Sequence, residues 1–150
     1  MQVIEYFNCD RPEYWLFQIG KSDWRAGQYL YELLSENKLK NAVGENSKVL
    51  MLVNGNELIS FCTYAEKDDI QPTELTPWIG FVYTFPKYRG HRYVGYLFQE
   101  IEKIAKSEKV QDIFISTNHT GLYEKYGCVF YQMMNDMNGE LSRIYRKHVN

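Results

Sequence analysis

Two apolar runs, KVLMLV (48–53) and ELISFCTYA (57–65), lie on either side of Asn54-Gly55-Asn56. Asn-Gly between apolar runs is a strong short-range hairpin signal. Each run is apolar at consecutive positions, so both predicted strands are covered on both faces. Such a hairpin needs a layer of helix above it and another below. A chain of 150 residues can supply both around a single core, so residues 1–150 are read as one domain.

The rest of the pattern provides those layers. QVIEYF (2–7) reads as a short strand, and Asp10-x-x-Glu13 has the form of a capping box opening a helix, with Pro12 in its first turn. A second helix is expected from Asp23 to Glu36, with Leu30, Leu33 and Leu34 near one side and Asn37 as its stop. Residues 66–77 are charged and hold two prolines, a loop, and WIGFVYTF (78–85) follows as a strand in which Gly80 marks a bulge or a close backbone approach. Val94, Leu97, Phe98, Ile101, Ile104 and Ala105 repeat at helical spacing over 93–106. A strand (112–118), a short helix (119–127) and two closing strands around Asn138-Gly139 complete a β-α-α-β-β-β-α-β-α-β-β order, an α/β (α+β) arrangement on a mixed sheet.

Charge and cysteine usage narrow the partners. The net charge of −2 and the lack of a basic stripe argue against nucleic acid. No apolar stretch is long enough for a membrane span, and the N-terminus lacks a basic segment followed by an apolar run. Cys9, Cys62 and Cys128 are odd in number and far apart, which suits free thiols in a reducing compartment and no metal site. The chain therefore reads as cytoplasmic, with no membrane or nucleic-acid partner.

Pro86-Lys87-Tyr88-Arg89-Gly90-His91-Arg92-Tyr93-Val94-Gly95 joins a strand to the strongest helix. A turn of this kind directs unpaired backbone N–H groups and the positive end of the helix dipole at one place, which favours an anion. Arg89 and Arg92 add guanidinium groups suited to phosphate, and Gly90 and Gly95 permit close approach.

P-x-Y-R-G-x-x-x-x-G-x-L after an apolar strand, then a helix, a strand and Leu122-Tyr123-Glu124-Lys125-Tyr126-Gly127, resembles the GNAT acetyltransferase superfamily over residues 57–131. The resemblance implies a mixed, mostly antiparallel central sheet flanked by helices. It implies acetyl-CoA as cosubstrate, its pyrophosphate held by the turn at Arg89, Gly90, His91, Arg92, Tyr93, Val94 and Gly95. Arg92 stands where the family has glycine, and Val94 where it has glycine or alanine. Tyr123 takes the position of the tyrosine that protonates the departing coenzyme A thiolate, and Asn118 that of an asparagine touching the pantetheine arm. Backbone N–H groups at Phe81, Val82 or Tyr83 would polarise the thioester carbonyl. Many relatives pair, so a homodimer is one expected assembly.

The expected activity is acetyl transfer to a primary amine of a small molecule or peptide. A lysine-like amine has a pKa of about 10.4 and must lose a proton before it attacks. Glu66, Asp68, Asp69 and Glu74 crowd the loop before the 78–85 strand, where they would steer a cation or supply a base. Glu66 and Asp69 are taken as catalytic candidates with Tyr123. Two other classes fit the same pattern: an acyl-CoA-binding module without catalysis, and an interaction domain on the same sheet. Donor binding and thiol release separate the three.

Overall fold

The computed structural model describes residues 1–150. Strands β2 (Lys48–Asn54) and β3 (Glu57–Ala65) form the expected hairpin, with Asn54 paired to Glu57. The two loop residues are therefore Gly55 and Asn56, and Gly55 has φ 60°. Glycine at the first central position makes this a II′-type turn, one residue on from an Asn-Gly turn.

Both faces of the hairpin are buried. Leu50, Leu52, Cys62 and Tyr64 pack under helix α4 (Val94–Ser107), against Leu97, Phe98 and Ile101. Val49, Met51 and Phe61 pack on the opposite face, against Trp15 and Ile19 of α1 (Pro12–Ile19) and Leu30 and Leu33 of α2 (Arg25–Ser35). A short helix α3 (Leu39–Val43) also lies on this face and buries Leu39 and Val43. It escaped the sequence reading because a single helical turn is too short to show a period.

Strands β1 (Gln2–Glu5), β4 (Trp78–Thr84), β5 (Asp112–Thr117), β6 (Val129–Asn135) and β7 (Leu141–His148) complete a seven-stranded sheet of order β1-β2-β3-β4-β5-β7-β6. All neighbours are antiparallel except β4 and β5. The result is a mixed α/β fold with a mostly antiparallel sheet and four α-helices.

Local details depart from the sequence reading. Asp10 does not cap α1; Arg11 is the N-cap residue, no side chain caps the helix, and Pro12 fills the first turn. Trp24, expected within α2, sits before it in extended conformation. Asn37 does stop α2, at φ 56°, and Lys38 N–H bonds back to Leu33 C=O at 2.7 Å, the Schellman arrangement. The expected helix at 119–127 is only a 3-10 turn, Tyr123–Tyr126. Gly121, at φ 79°, cannot continue a right-handed helix.

Candidate active site

The parallel pair β4 and β5 makes contact at two positions, Trp78 with Phe114 and Ile79 with Ile115. Beyond them β5 continues along β7 and β4 continues along β3, so the two strands part like a fork. A bulge drives β4 outward. Phe61 of β3 lies opposite Tyr83, and Thr63 opposite Gly80, so three steps in β4 match two in β3. Phe81, at φ 51°, is the residue that absorbs the extra step. The backbone stretch proposed from the sequence to polarise a carbonyl, Phe81 to Tyr83, is therefore this bulge. Phe81 packs on the α2 face and Val82 on the α4 face.

At the open end of the fork, a 3-10 turn (Pro86–Tyr88) leads into α4. No side chain caps α4 and no acid lies in its first turn, so its N-terminal N–H groups are free of side-chain partners. Gly90 has φ 87° and nothing within 4 Å of where a Cβ would stand. Arg92 takes φ 55°, the left-handed conformation suited to the glycine common in its place, which costs a side chain about 1–2 kcal/mol. Arg89 turns back instead of reaching out. Its Nε donates to Thr84 C=O at 2.9 Å and its guanidinium lies 5.4 Å from the Tyr83 ring centre, bracing the turn against β4. His91 stacks on Tyr93 at 5.2 Å. Val94 is half-buried and packs on the α4-side core. At Gly95 a Cβ would make ordinary contact with the Tyr126 ring at 3.5 Å, so close approach is not what calls for glycine there.

Tyr123 is buried in the α4-side core, stacked on Phe98 with ring centres 6.0 Å apart. Burial raises its phenol pKa, and Cys62, Cys128, Tyr126 and Asp68 nearby add to the shift. The hydroxyl therefore keeps its proton at neutral pH. Asn118 is exposed, one residue past the end of β5.

The four acids of the 66–77 loop are separated by the fold. Glu66 accepts the Asn46 N–H at 2.8 Å and, with Glu74, Glu108 and Asp112, lines a depression where β5 begins, at the closed end of the fork. Asp68 and Asp69 lie on the fork itself. The Asp68 carboxylate rests on Gly80 of β4, where a Cβ would come within 2.1 Å of Oδ1. Asp69 lies close enough to Ser116 of β5 for that hydroxyl to act on its carboxyl. Asp68 is raised to about 8, by burial first and then by the charge of Asp69. Asp69 is raised by partial burial and by Asp136, with Ser116 opposing the shift.

Sequence spacing missed several parts of this arrangement. Ser116 and Ser142 share a 2.7 Å hydroxyl contact beside Asp69, and the Met137 N–H holds the Asp69 carbonyl at 2.9 Å. Asp23 accepts the Tyr83 hydroxyl at 2.6 Å. None of these pairs is local, so no motif joins them. No group of three or more metal-ligating side chains converges, and no helix is long and apolar enough to cross a membrane.

The fold has many solved counterparts. An aminoglycoside 6'-acetyltransferase type Ii superposes with a TM-score of 0.71 at 16% identity, covering 100% of this chain and 98% of that one. The aminoglycoside 6'-N-acetyltransferase from Enterococcus faecium gives 0.68 at 13% identity, with 100% and 98% covered. A GNAT family acetyltransferase from Elizabethkingia anophelis, solved with acetyl-CoA bound, gives 0.64 at 14%, with 98% and 97% covered. No curated protein matches the chain. The Acetyltransferase (GNAT) family matches residues 5–128, from the first strand to the glycine-ended turn after Tyr123. With the forked β4–β5 pair and the uncapped helix start at its mouth, that match makes the chain a member of the GNAT acetyltransferase family.

Proposed function

We propose that the protein transfers the acetyl group of acetyl-CoA to a primary amine by direct attack on the thioester. The observation that carries this reading is the fork, with a free helix N-terminus at its mouth and a buried, protonated tyrosine beside it. Backbone N–H groups from Gly90 to Val94, the α4 dipole and Arg92 suit the pyrophosphate. Arg89 contributes by holding the turn in shape. Val94, packed on the α4-side core, leaves the turn open to the phosphates. Asn118, exposed just past β5, is the residue offered to the pantetheine arm.

The bulge at Phe81–Tyr83 supplies N–H groups to the thioester oxygen, on which charge builds in the transition state. The amine nitrogen bonds to the carbonyl carbon, the carbon–sulfur bond breaks, and the Tyr123 hydroxyl gives its proton to the sulfur. The nitrogen loses its remaining excess proton and restores the phenol. The acceptor enters from the α1/α2 face, where Asp69 draws cations. The solved counterparts named for aminoglycoside acetylation support an acceptor of this chemistry, a cationic amine. Glu66, engaged at the closed end of the fork, serves the loop rather than the reaction. The test is melting temperature with and without acetyl-CoA, then thiol release over a panel of amines. The reading requires both a melting shift and release.

A further inference from the structure

Asp68 and Asp69 straddle the point at which β4 and β5 separate. The last paired positions are Ile79 and Ile115, so the first residues past the split are Gly80 and Ser116. Asp68 rests on Gly80, and Asp69 lies near Ser116. Two consecutive loop residues thus place one carboxylate over each arm of the fork. Gly80 lies on the α1/α2 face, because Thr63 opposite it is flanked by Cys62 and Tyr64, which both pack under α4. Tyr123 belongs to the α4 face. It is near enough to Asp68 for the carboxylate's charge to act on its phenol through the gap.

The loop is fastened in this position. Ile70 is buried, Gln71 Nε2 donates to Asp68 C=O at 2.8 Å, and the Met137 N–H holds Asp69 C=O at 2.9 Å. Gly80 is what lets the carboxylate reach the strand, since any side chain there would occupy its place.

Resting on the acetyltransferase reading above, we propose that Asp68, seated on Gly80 and paired with Asp69 across the fork, takes the proton from the acceptor's ammonium group. The balance is as follows. The Asp68 carboxylate accepts one N–H proton, and the freed lone pair forms the C–N bond. The carbon–sulfur bond then breaks, sulfur takes the Tyr123 proton, and the second nitrogen proton returns to the phenolate. The proton on Asp68 leaves through Asp69 towards the rim, where Asp136 lies. The groups facing Asp68 are Asp69 on its own loop, with Asp136 beyond it, and Tyr123 across the gap. The two carboxylates titrate as a pair, and its higher step near neutral pH suits a base.

The experiment measures thiol release with kanamycin, spermidine and a lysine peptide as acceptors, from about pH 6 to about pH 10, in the wild type, Asp68→Asn and Asp68→Glu. The melting shift with acetyl-CoA is recorded for each protein. Asp68→Asn should keep that shift, lose turnover roughly 10²-fold, and lose the limb along which the wild-type rate rises with pH. Asp68→Glu should recover part of the rate with a displaced limb. The limb is read with the lysine peptide, whose amine titrates near 10, apart from it. An Asp68→Asn enzyme that keeps both turnover and limb overturns the proposal. If that variant does not fold, the wild-type profile decides, since a rate flat up to about pH 9 excludes such a base. A wild type with no melting shift overturns the acetyltransferase reading itself. A shift without thiol release to any of the amines leaves a donor-binding module, in which Asp68 has no proton to take.

Discussion

The Tyr83 hydroxyl donates a 2.6 Å hydrogen bond to Asp23, joining β4 just past its bulge to the connection between α1 and α2. Trp24 stacks on the same ring, centres 5.6 Å apart and planes 10° off parallel. The α1–α2 connection is therefore clamped to the strand that carries the proposed carbonyl-polarising N–H groups, on the face where the acceptor would enter. Tyr83→Phe keeps the stack and removes the bond. Asp23 is exposed and can rehydrate, so the stability cost should be about 1 kcal/mol. We expect the acceptor KM to rise several-fold while kcat and the acetyl-CoA melting shift stay near wild type. An unchanged KM would mean that the clamp does not shape the acceptor side.

Arg92 should carry two opposed effects. Its left-handed backbone costs about 1–2 kcal/mol, which Arg92→Gly relieves. The free variant should melt roughly 2–8 °C higher. Loss of the guanidinium should weaken acetyl-CoA binding, and the difference from wild type should shrink as salt rises. Melting curves with and without donor, at low and high salt, read both effects.

Tyr123→Phe keeps the ring stacked on Phe98 and deletes only the hydroxyl. Turnover should fall roughly 10²-fold while donor affinity holds. Retention of full turnover, with an acceptor that the wild type uses, would show that the phenol proton is dispensable.

Gly80 and Asp68 should behave as one unit. Gly80→Ala sets a Cβ within 2.1 Å of the Asp68 carboxylate, so the loop must move. If the seat matters only through Asp68, the double variant Gly80→Ala with Asp68→Asn should be no slower than Asp68→Asn alone. Additive losses would show that the alanine harms turnover by another route.

Stability should also report on Asp68. Its folded pKa, about 8, lies above the ordinary 3.8, so the folded protein holds this proton more tightly than the unfolded chain. The contribution is complete below about pH 4 and is lost as pH rises through about 8. Asp68→Asn lacks this loss. In urea unfolding series the variant should gain on the wild type steadily from about pH 4 to about pH 8, then level off. A difference that stays constant with pH would mean that Asp68 is ionised throughout.

Local chemistry in the chain was enough to foretell most of the elements. Consecutive apolar positions in β2 and β3, helical spacing in α4 and the β2–β3 turn glycine state their burial and conformation without help from distant residues. The turn before α4 was legible in the same way, because it is built from contiguous residues. Arrangement across distance was not legible. Glu66 and Asp68 are two positions apart in one acidic loop, and the sequence put Glu66 rather than Asp68 among the catalytic candidates, yet the chain's path sends Glu66 to Asn46 and Asp68 to Gly80. The Tyr83–Asp23 clamp and the Met137–Asp69 backbone bond join residues far apart in sequence. Such pairings depend on the strand order β3-β4-β5-β7 and on the bulge that parts β4 from β5. A pattern of neighbours encodes how each segment folds. Which carboxylate reaches the fork is settled only when packing brings separate segments against one another.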